Sequence, residues 1–243
     1  MSKLNVLVTG VSGRIGPHVV GPFRESYNLR MFDRRGDATQ TDLIIGELLD
    51  FDALKRAMQG IDVVLHLAAT SDERPFIEEL VPNNIVGLYN VFQAAHETGV
   101  RRIVFASTCQ TVLKYPYDQT VEITDPVRPC SIYGATKVFG EVLGRFYHDQ
   151  HGMEFVGIRI GAFGVGTPEH LRRSSMFRHL WLSPRDAVKL FRCAIEKPGV
   201  GYAVVFGTSR TEREYLSLTA ARELLGFEPD DDVMKQASAE TVG

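Results

Sequence analysis

An apolar run, Val6-Leu7-Val8, leads through Thr9 into three glycines spaced three apart, Gly10, Gly13 and Gly16, and then into a helix-forming stretch. This pattern confines the start of the chain to a buried strand, a tight turn and a helix. Leu4 to Val8 suits an interior parallel strand. The helix opens at Ile15 and runs to Glu25, with Pro17 in its first turn, where a missing N–H costs little. Such a turn aims unpaired N–H groups and their partial positive charge at one spot, and glycine lets a pyrophosphate approach the backbone. The spacing G-x-x-G-x-x-G departs from the commoner G-x-G-x-x-G dinucleotide form.

A second apolar strand, Leu29 to Phe32, ends in Asp33, close to where an acid gripping the adenosine ribose hydroxyls is expected. The pair of features points to a nucleotide. Asp33 is followed by Arg34 and Arg35, which raises the choice between NAD and NADP. A carboxylate about 4 Å from a 2′-phosphate costs about 4 kcal/mol at an effective dielectric of about 20, which flexible arginines only partly offset. NAD is favoured over NADP.

At 243 residues the chain can bury a full sheet with helices on both faces, and its 44% hydrophobic and 23% charged content is ordinary for a globular protein. A net charge of −3 gives no general attraction to nucleic acid or anionic membrane. Cys109, Cys130 and Cys193 lack C-x-x-C spacing, which argues against a zinc site or a disulfide framework and suits a reducing cytoplasm. No leader and no apolar run of membrane-spanning length is visible, so secretion and membrane insertion are not expected.

Along the chain, Leu43 to Ile45 reads as a weak strand, Asp50 to Met58 as a helix with an acidic cap, and Ile61 to Ala69 as a strand ending in small residues. His66 is read as a satisfied interior histidine, because no partner acid sits at relay or metal spacing. Asn83 to Thr98 is a helix with Ile85, Leu88, Val91, Phe92 and Ala95 on one stripe. Arg101 to Ser107 is a strand running into Thr108-Cys109-Gln110-Thr111, hydroxyls placed where open α/β sheets keep their ligands, or else a plain polar loop.

Tyr133-Gly-Ala-Thr-Lys137 opens a helix that ends near His151. Residues at i and i+4 share a face, so the ammonium can lie beside the phenol as activator beside base. A free tyrosine titrates near 10, and bringing it toward about 7 requires about 4 kcal/mol of differential stabilisation of the phenolate. Lys137 and a positively charged nicotinamide would both push that way.

Glu154 to Ile160 is a further strand, followed by a loop carrying Arg172, Arg173 and Arg178. Ser183-Pro-Arg-Asp186 is a capping box for a helix to about Lys197. Tyr202 to Phe206 gives a last strand, Glu212 to Leu225 a last helix, and Asp230-Asp-Asp a solvated, frayed tail. The expected architecture is α/β, a doubly wound parallel sheet in a single domain over 1–243. A small C-terminal cap would come mainly from 161–182 and 207–243.

These residues together resemble the extended short-chain dehydrogenase/reductase family, also called the NAD-dependent epimerase/dehydratase family. The likeness rests on Thr9-Gly10-x-x-Gly13-x-x-Gly16, Asp33, His66-Leu-Ala-Ala69, Asn84-Ile-Val-Gly-Leu-Tyr-Asn90, Ser107-Thr108, Tyr133-x-x-x-Lys137 and Arg159. Within it the chain is similar to the uronate dehydrogenases, which oxidise the anomeric carbon of hexuronates with NAD. The added matches are Thr70-Ser71-Asp-Glu-Arg-Pro-Phe76, Ile103-Val-Phe-Ala-Ser107, Val138-Phe-Gly-Glu141, Arg159-Ile-Gly161 and Trp181-Leu-Ser183. It departs from them at Thr108-Cys109-Gln110, where they have Ser-Asn-His, and at Ala162, where they have serine. Those positions hold sugar hydroxyls and the carboxylate.

The resemblance implies that Tyr133 takes a proton from a substrate hydroxyl while the adjacent carbon passes hydride to the nicotinamide. Lys137 would hold the ribose and lower the tyrosine pKa, and Thr108 would orient the reacting oxygen. It further implies cofactor contacts from Gly10, Ser12, Gly13, Arg14, Ile15, Gly16, Asp33, Arg34, Leu48, Leu67, Ala68, Ala69, Ser107, Tyr133, Lys137 and Ile160. Substrate contacts would come from Ser71, Thr108, Cys109, Gln110 and Tyr133, with a carboxylate-binding arginine among Arg172, Arg173 and Arg178, Arg178 ranked first. Asn84 would support the site through water or else cap a helix. No metal is implied.

A dehydrogenase acting on a sugar or sugar acid is the leading reading. A nucleotide-sugar epimerase or dehydratase ranks lower, because the stretch after Arg159 is thin for enclosing a nucleoside diphosphate. A non-catalytic NAD sensor is disfavoured by the complete Thr-Tyr-Lys set. A homodimer through helices 83–98 and 132–151 is also expected, although their apolar stripes could equally face the sheet.

Overall fold

The computed structural model describes residues 3–37, 39–164, 169, 171 and 175–238. Seven parallel strands form the central sheet: β1 (Asn5–Thr9), β2 (Asn28–Asp33), β3 (Leu43–Ile45), β4 (Val63–His66), β5 (Arg102–Thr108), β6 (Glu154–Ile160) and, after two short strands below, β9 (Tyr202–Gly207). Their order is β3-β2-β1-β4-β5-β6-β9. Val8, Val64, Val104 and Val156 are inaccessible to water, as interior parallel strands require when both faces are covered. The order reverses between β1 and β4, where Thr9 pairs with Phe32 on one side and His66 on the other. Ligands of open α/β sheets bind in the crevice at such a reversal.

Helix α1 (Gly16–Ser26) covers one face together with a later helix described below, through Val19, Phe23, Leu190 and Phe191. The other face carries α2 (Phe51–Met58), α3 (Leu88–Glu97) and the 20-residue α4 (Ile132–His151), through Leu54, Val91, Phe92 and Tyr147. A second, two-stranded pairing joins β7 (Ala162–Phe163) to β8 (Trp181–Leu182) beside α5 (Ser175–Leu180). Helices α6 (Pro184–Glu196) and α7 (Val233–Ser238) complete the α-helices among the described residues. Among the described residues no helix is long and apolar enough to cross a membrane.

Three expectations fail here, the last two through long-range contacts. The helix expected over 83–98 begins earlier, as a π-helical stretch, Phe76–Gly87, that runs into α3. Pro82 lies inside it; lacking an N–H, it breaks the ordinary i→i−4 ladder, and wide turns absorb the gap. Asn84 is therefore mid-helix and caps nothing. The stripe residues Leu88, Val91, Phe92 and Ala95 are spent on the sheet.

The helix expected over 212–225 is replaced in its first half by extended chain. Val121 N donates to Tyr215 O at 2.7 Å and Ser217 N to Val121 O at 3.0 Å, which pulls the backbone out of helical geometry and buries Tyr215 and Leu216. Helical backbone begins only at Thr219 and passes into a π-helical stretch, Ala221–Leu225.

Asp230-Asp-Asp is not a frayed tail. The fully buried Asp186 carboxylate accepts from Asp230 N (2.8 Å), Asp231 N (3.1 Å) and Ser209 Oγ (2.6 Å). The capping box at Ser183 is thereby halved. Ser183 Oγ accepts from Asp186 N at 3.0 Å, while the Asp186 side chain turns away to hold the C-terminal segment.

Candidate active site

The site is built at the carboxyl ends of β1, β2, β4 and β5. Gly10 has φ of +76°, and a Cβ there would fall 2.5 Å from Ala68 N, so the turn after β1 can touch the end of β4 only without a side chain. Gly16 is buried in the first turn of α1, where a Cβ would meet Val11 O at 2.1 Å. It brings the helix close to the turn and does not itself face the cavities. Asp33, at the end of β2, accepts from Ser12 N at 2.8 Å and from Arg35 N at 3.0 Å, which fixes its carboxylate beside the glycine turn.

Two adjoining cavities follow. The first, about 220 Å³, is lined by Gly10, Ser12, Gly13, Asp33, Arg34, Leu48, Leu67, Ala68 and Ala69, all expected cofactor positions, and also by Phe32, Arg35 and Glu47. The second, about 500 Å³, shares Gly10, Gly13, Leu67 and Ala69 with it. Its walls bring together Arg14, Ile15, Ser71, Ser107, Thr108, Cys109, Gln110, Tyr133, Lys137 and Ile160. A continuous cleft thus runs from the acid at the end of β2 to the start of α4.

Lys137 is buried and donates from Nζ to Ala106 O at 2.9 Å. Burial pushes its ammonium down to about 7. Tyr133 is pushed up, chiefly by burial and then by the negative charge of Asp72 and Cys109, with Arg14 opposing. With Lys137 beside it and no cofactor charge, the phenol thus stays above its ordinary value. The Lys137 ammonium lies over the ring, 5.7 Å from the centroid, and is itself costly to keep charged.

The neighbouring hydroxyls divide. Thr108 Oγ1 accepts from Gln110 N at 3.3 Å and stays on the cavity wall. Ser107 also lines the cavity, but its hydroxyl donates to Glu141 Oε1 at 2.6 Å. Glu141 is buried in a bidentate pair with Arg159, with distances of 3.0 and 2.8 Å, which anchors α4 to β6 beneath the site. His66 is a satisfied interior histidine: it shares a 2.8 Å hydrogen bond with Thr9 Oγ1, and burial followed by Lys137 lowers it to about 3. Asn84 accepts from Thr70 N and donates to Thr70 O and Thr136 Oγ1, tying the loop after β4 to α4. It neither caps a helix nor faces the cavity.

Arg178 is not among the lining residues; it pairs with Glu212 at 3.4 Å. Arg172 and Arg173 lie outside the described residues. Sequence reasoning missed Asp72, a non-glycine residue at φ +62° that lines the second cavity and reaches Arg14 at 3.6 Å. It also missed Glu73, whose carboxylate accepts from Ile132 N and Tyr133 N at the head of α4. Nor did it find the apolar wall of Leu113, Phe163 and Leu180. Nothing local marks these residues. Among the described residues, no group of three or more His, Cys, Asp or Glu side chains is placed to hold a metal ion.

The cradle fits a dinucleotide: its turn is bare backbone at the head of a helix, and a fixed carboxylate stands where ribose hydroxyls would be gripped. Fold and cleft define a nicotinamide-dependent enzyme of the short-chain dehydrogenase type. The chain belongs to the NAD dependent epimerase/dehydratase family, whose model matches residues 6–180.

Similar proteins include the NAD-dependent glucose-6-phosphate dehydrogenase of Haloferax volcanii, 35% identical over 93% of this chain and 93% of that protein. The uronate dehydrogenase of Pseudomonas syringae is 36% identical over 84% of this chain and 74% of that one. Among solved structures, a mutant of the Agrobacterium tumefaciens uronate dehydrogenase complexed with NAD superposes with a TM-score of 0.87 at 30% identity, covering 96% of this chain and 86% of that chain.

Proposed function

We propose that this chain oxidises a sugar or sugar acid with NAD. The observation that carries the reading is the convergence of Thr108, Tyr133 and Lys137 on one cavity continuous with the dinucleotide cradle. Bound nicotinamide supplies the hydride acceptor. Thr108 orients the substrate hydroxyl, Tyr133 takes its proton, and the carbon–hydrogen bond breaks with its electron pair as the carbonyl forms. Because burial holds the phenol protonated, a positive nicotinamide beside it would favour the phenolate base before transfer, while that charge is still present. Lys137, free to donate beyond Ala106, would hold the ribose. Positioned base chemistry contributes about 10²–10⁴-fold, and holding the reactants in contact supplies the rest.

The substrate class is supported by the relatives, which are named for a sugar phosphate and for uronates. Ser71, Cys109 and Gln110 would contact the substrate, and residues 161–182 would act as its cap, since Gly161, Ala162, Phe163 and Leu180 line the cavity. The 207–243 stretch, the other part of the expected cap, contributes no lining residue to either cavity among its described residues. NAD is preferred to NADP because the anchored Asp33 carboxylate would face a 2′-phosphate, with Arg34 and Arg35 beside it as partial relief.

A homodimer through the 76–97 and α4 helices is supported by the exposed apolar side chains Val86, Tyr89, Val142 and Phe146. A sedimentation mass of one chain at micromolar concentration would count against it. Three free cysteines suit a reducing, cytoplasmic setting.

Mixing pure protein with NAD and a panel of uronic acids, aldoses, sugar phosphates and nucleotide sugars tests the reading. Net accumulation of NADH with a free sugar or sugar acid is expected. Interconversion of a nucleotide sugar without net NADH would favour an epimerase instead.

A further inference from the structure

Gln110 sits between the catalytic strand end and the head of α4, and its polar atoms are nearly all committed. Its backbone N–H donates to Thr108 Oγ1 at 3.3 Å, and its backbone carbonyl accepts from Cys130 N at 3.0 Å. Its side-chain Oε1 accepts from Ser131 Oγ at 2.5 Å and lies 3.9 Å from Cys130 Sγ. Helix α4 presses directly on it: a Cβ at Gly134 would fall 2.7 Å from Gln110 O. Gln110 therefore cannot shift without moving the helix that carries Tyr133.

The direction of the side-chain bond follows from the donors that surround it. Ser131 is the N-cap of α4, and its Oγ already accepts from Gly134 N at 2.9 Å. Its hydrogen is directed at Gln110, and the Cys130 thiol, a donor at 3.9 Å, faces the same amide atom, so two donors meet there and that atom is assigned as the carbonyl oxygen. The amide N–H₂ is left on the other side, on a residue that lines the second cavity.

We propose that Ser131 is a positioning residue that holds Gln110 as a donor-only wall of the substrate cavity, so that the group recognised there is an oxygen acceptor on the sugar. This rests on the function proposed above. A carboxylate, a ring oxygen or a hydroxyl satisfies that wall. An ammonium, with donors only, leaves both sides unpaired, so a sugar presenting an amine at that position is rejected.

Cap and donor functions of Ser131 can be separated. Ser131→Asp retains an N-cap acceptor for Gly134 N but has no hydrogen for Gln110, so the amide turns to donate to the new carboxylate and presents its carbonyl to the cavity. Ser131→Thr keeps both functions. For Ser131→Asp, the melting temperature should stay near that of the wild type. Its KM for the sugar should rise about tenfold, with kcat within about threefold and KM for NAD unchanged. The corresponding amino sugar should lose its disadvantage, and Ser131→Thr should behave as the wild type.

An aspartate variant with wild-type KM and selectivity, or a threonine variant as impaired as the aspartate, would overturn the proposal. A second readout needs no substrate: the side-chain amide resonances of Gln110, identified by their loss in Gln110→Glu, should move in Ser131→Asp and not in Ser131→Thr. If no sugar yields NADH with the wild type, the proposed function fails, while those resonances still decide how Ser131 holds Gln110. Unmoved resonances in Ser131→Asp would reject that arrangement.

Discussion

Lys137 Nζ stands 5.7 Å from the centre of the Tyr133 ring and bonds to Ala106 O, so the ammonium meets the phenol over its face and is tied to β5. The i, i+4 spacing places the pair correctly, but burial acts on both members, raising the phenol and lowering the ammonium. Within the protein alone the pair therefore rests with the phenol held protonated and the ammonium weakened.

Lys137 makes stability depend on pH. In the unfolded chain it keeps its proton to about 10.5, whereas in the folded chain it releases it near 7. Between those limits the unfolded state binds more protons, so stability rises with pH, by at most about 1.4 kcal/mol per unit. The difference in melting temperature between wild type and Lys137→Met should shift in favour of the wild type from pH 7 to pH 10. A flat difference would show that the lysine is not desolvated.

Asp33→Asn removes the charge that opposes a 2′-phosphate while keeping one side-chain oxygen, which can accept from Ser12 N or from Arg35 N in place of the two carboxylate oxygens that serve them now. The ratio of kcat/KM for NADP over NAD should rise by about 10–100-fold, since Arg34 and Arg35 already line the pocket. An unchanged ratio would place cofactor choice elsewhere.

Asp186→Ala should destabilise the protein by about 3 kcal/mol, because two backbone N–H groups and the Ser209 hydroxyl lose a buried acceptor together. Denaturant unfolding measures the loss. Limited proteolysis should cut first within 228–238, the segment that Asp186 holds.

What was legible in the sequence was local. Gly10, Asp33, Tyr133 and Lys137 stand at strand ends and helix starts whose spacing alone declares an α/β sheet and its cleft. What was not legible depends on partners distant in the chain. Val121 pulls Tyr215 and Leu216 out of a helix that their composition favours, and Asp186 gathers residues that read as a solvated tail. Asn84 resembles a cap until Thr70 and Thr136 are seen to consume its amide. Pro82 was visible, but its consequence, wide turns rather than a helix start, depends on what packs around it.

The most direct test of the catalytic role assigned to Tyr133 is the turnover of Tyr133→Phe with the sugar that the wild type oxidises best, alongside a titration of its NAD affinity. The expected result is NADH formation lowered by about 10³-fold or more with NAD affinity within a few-fold of the wild type. Turnover by the phenylalanine variant at a rate close to the wild type's would contradict it.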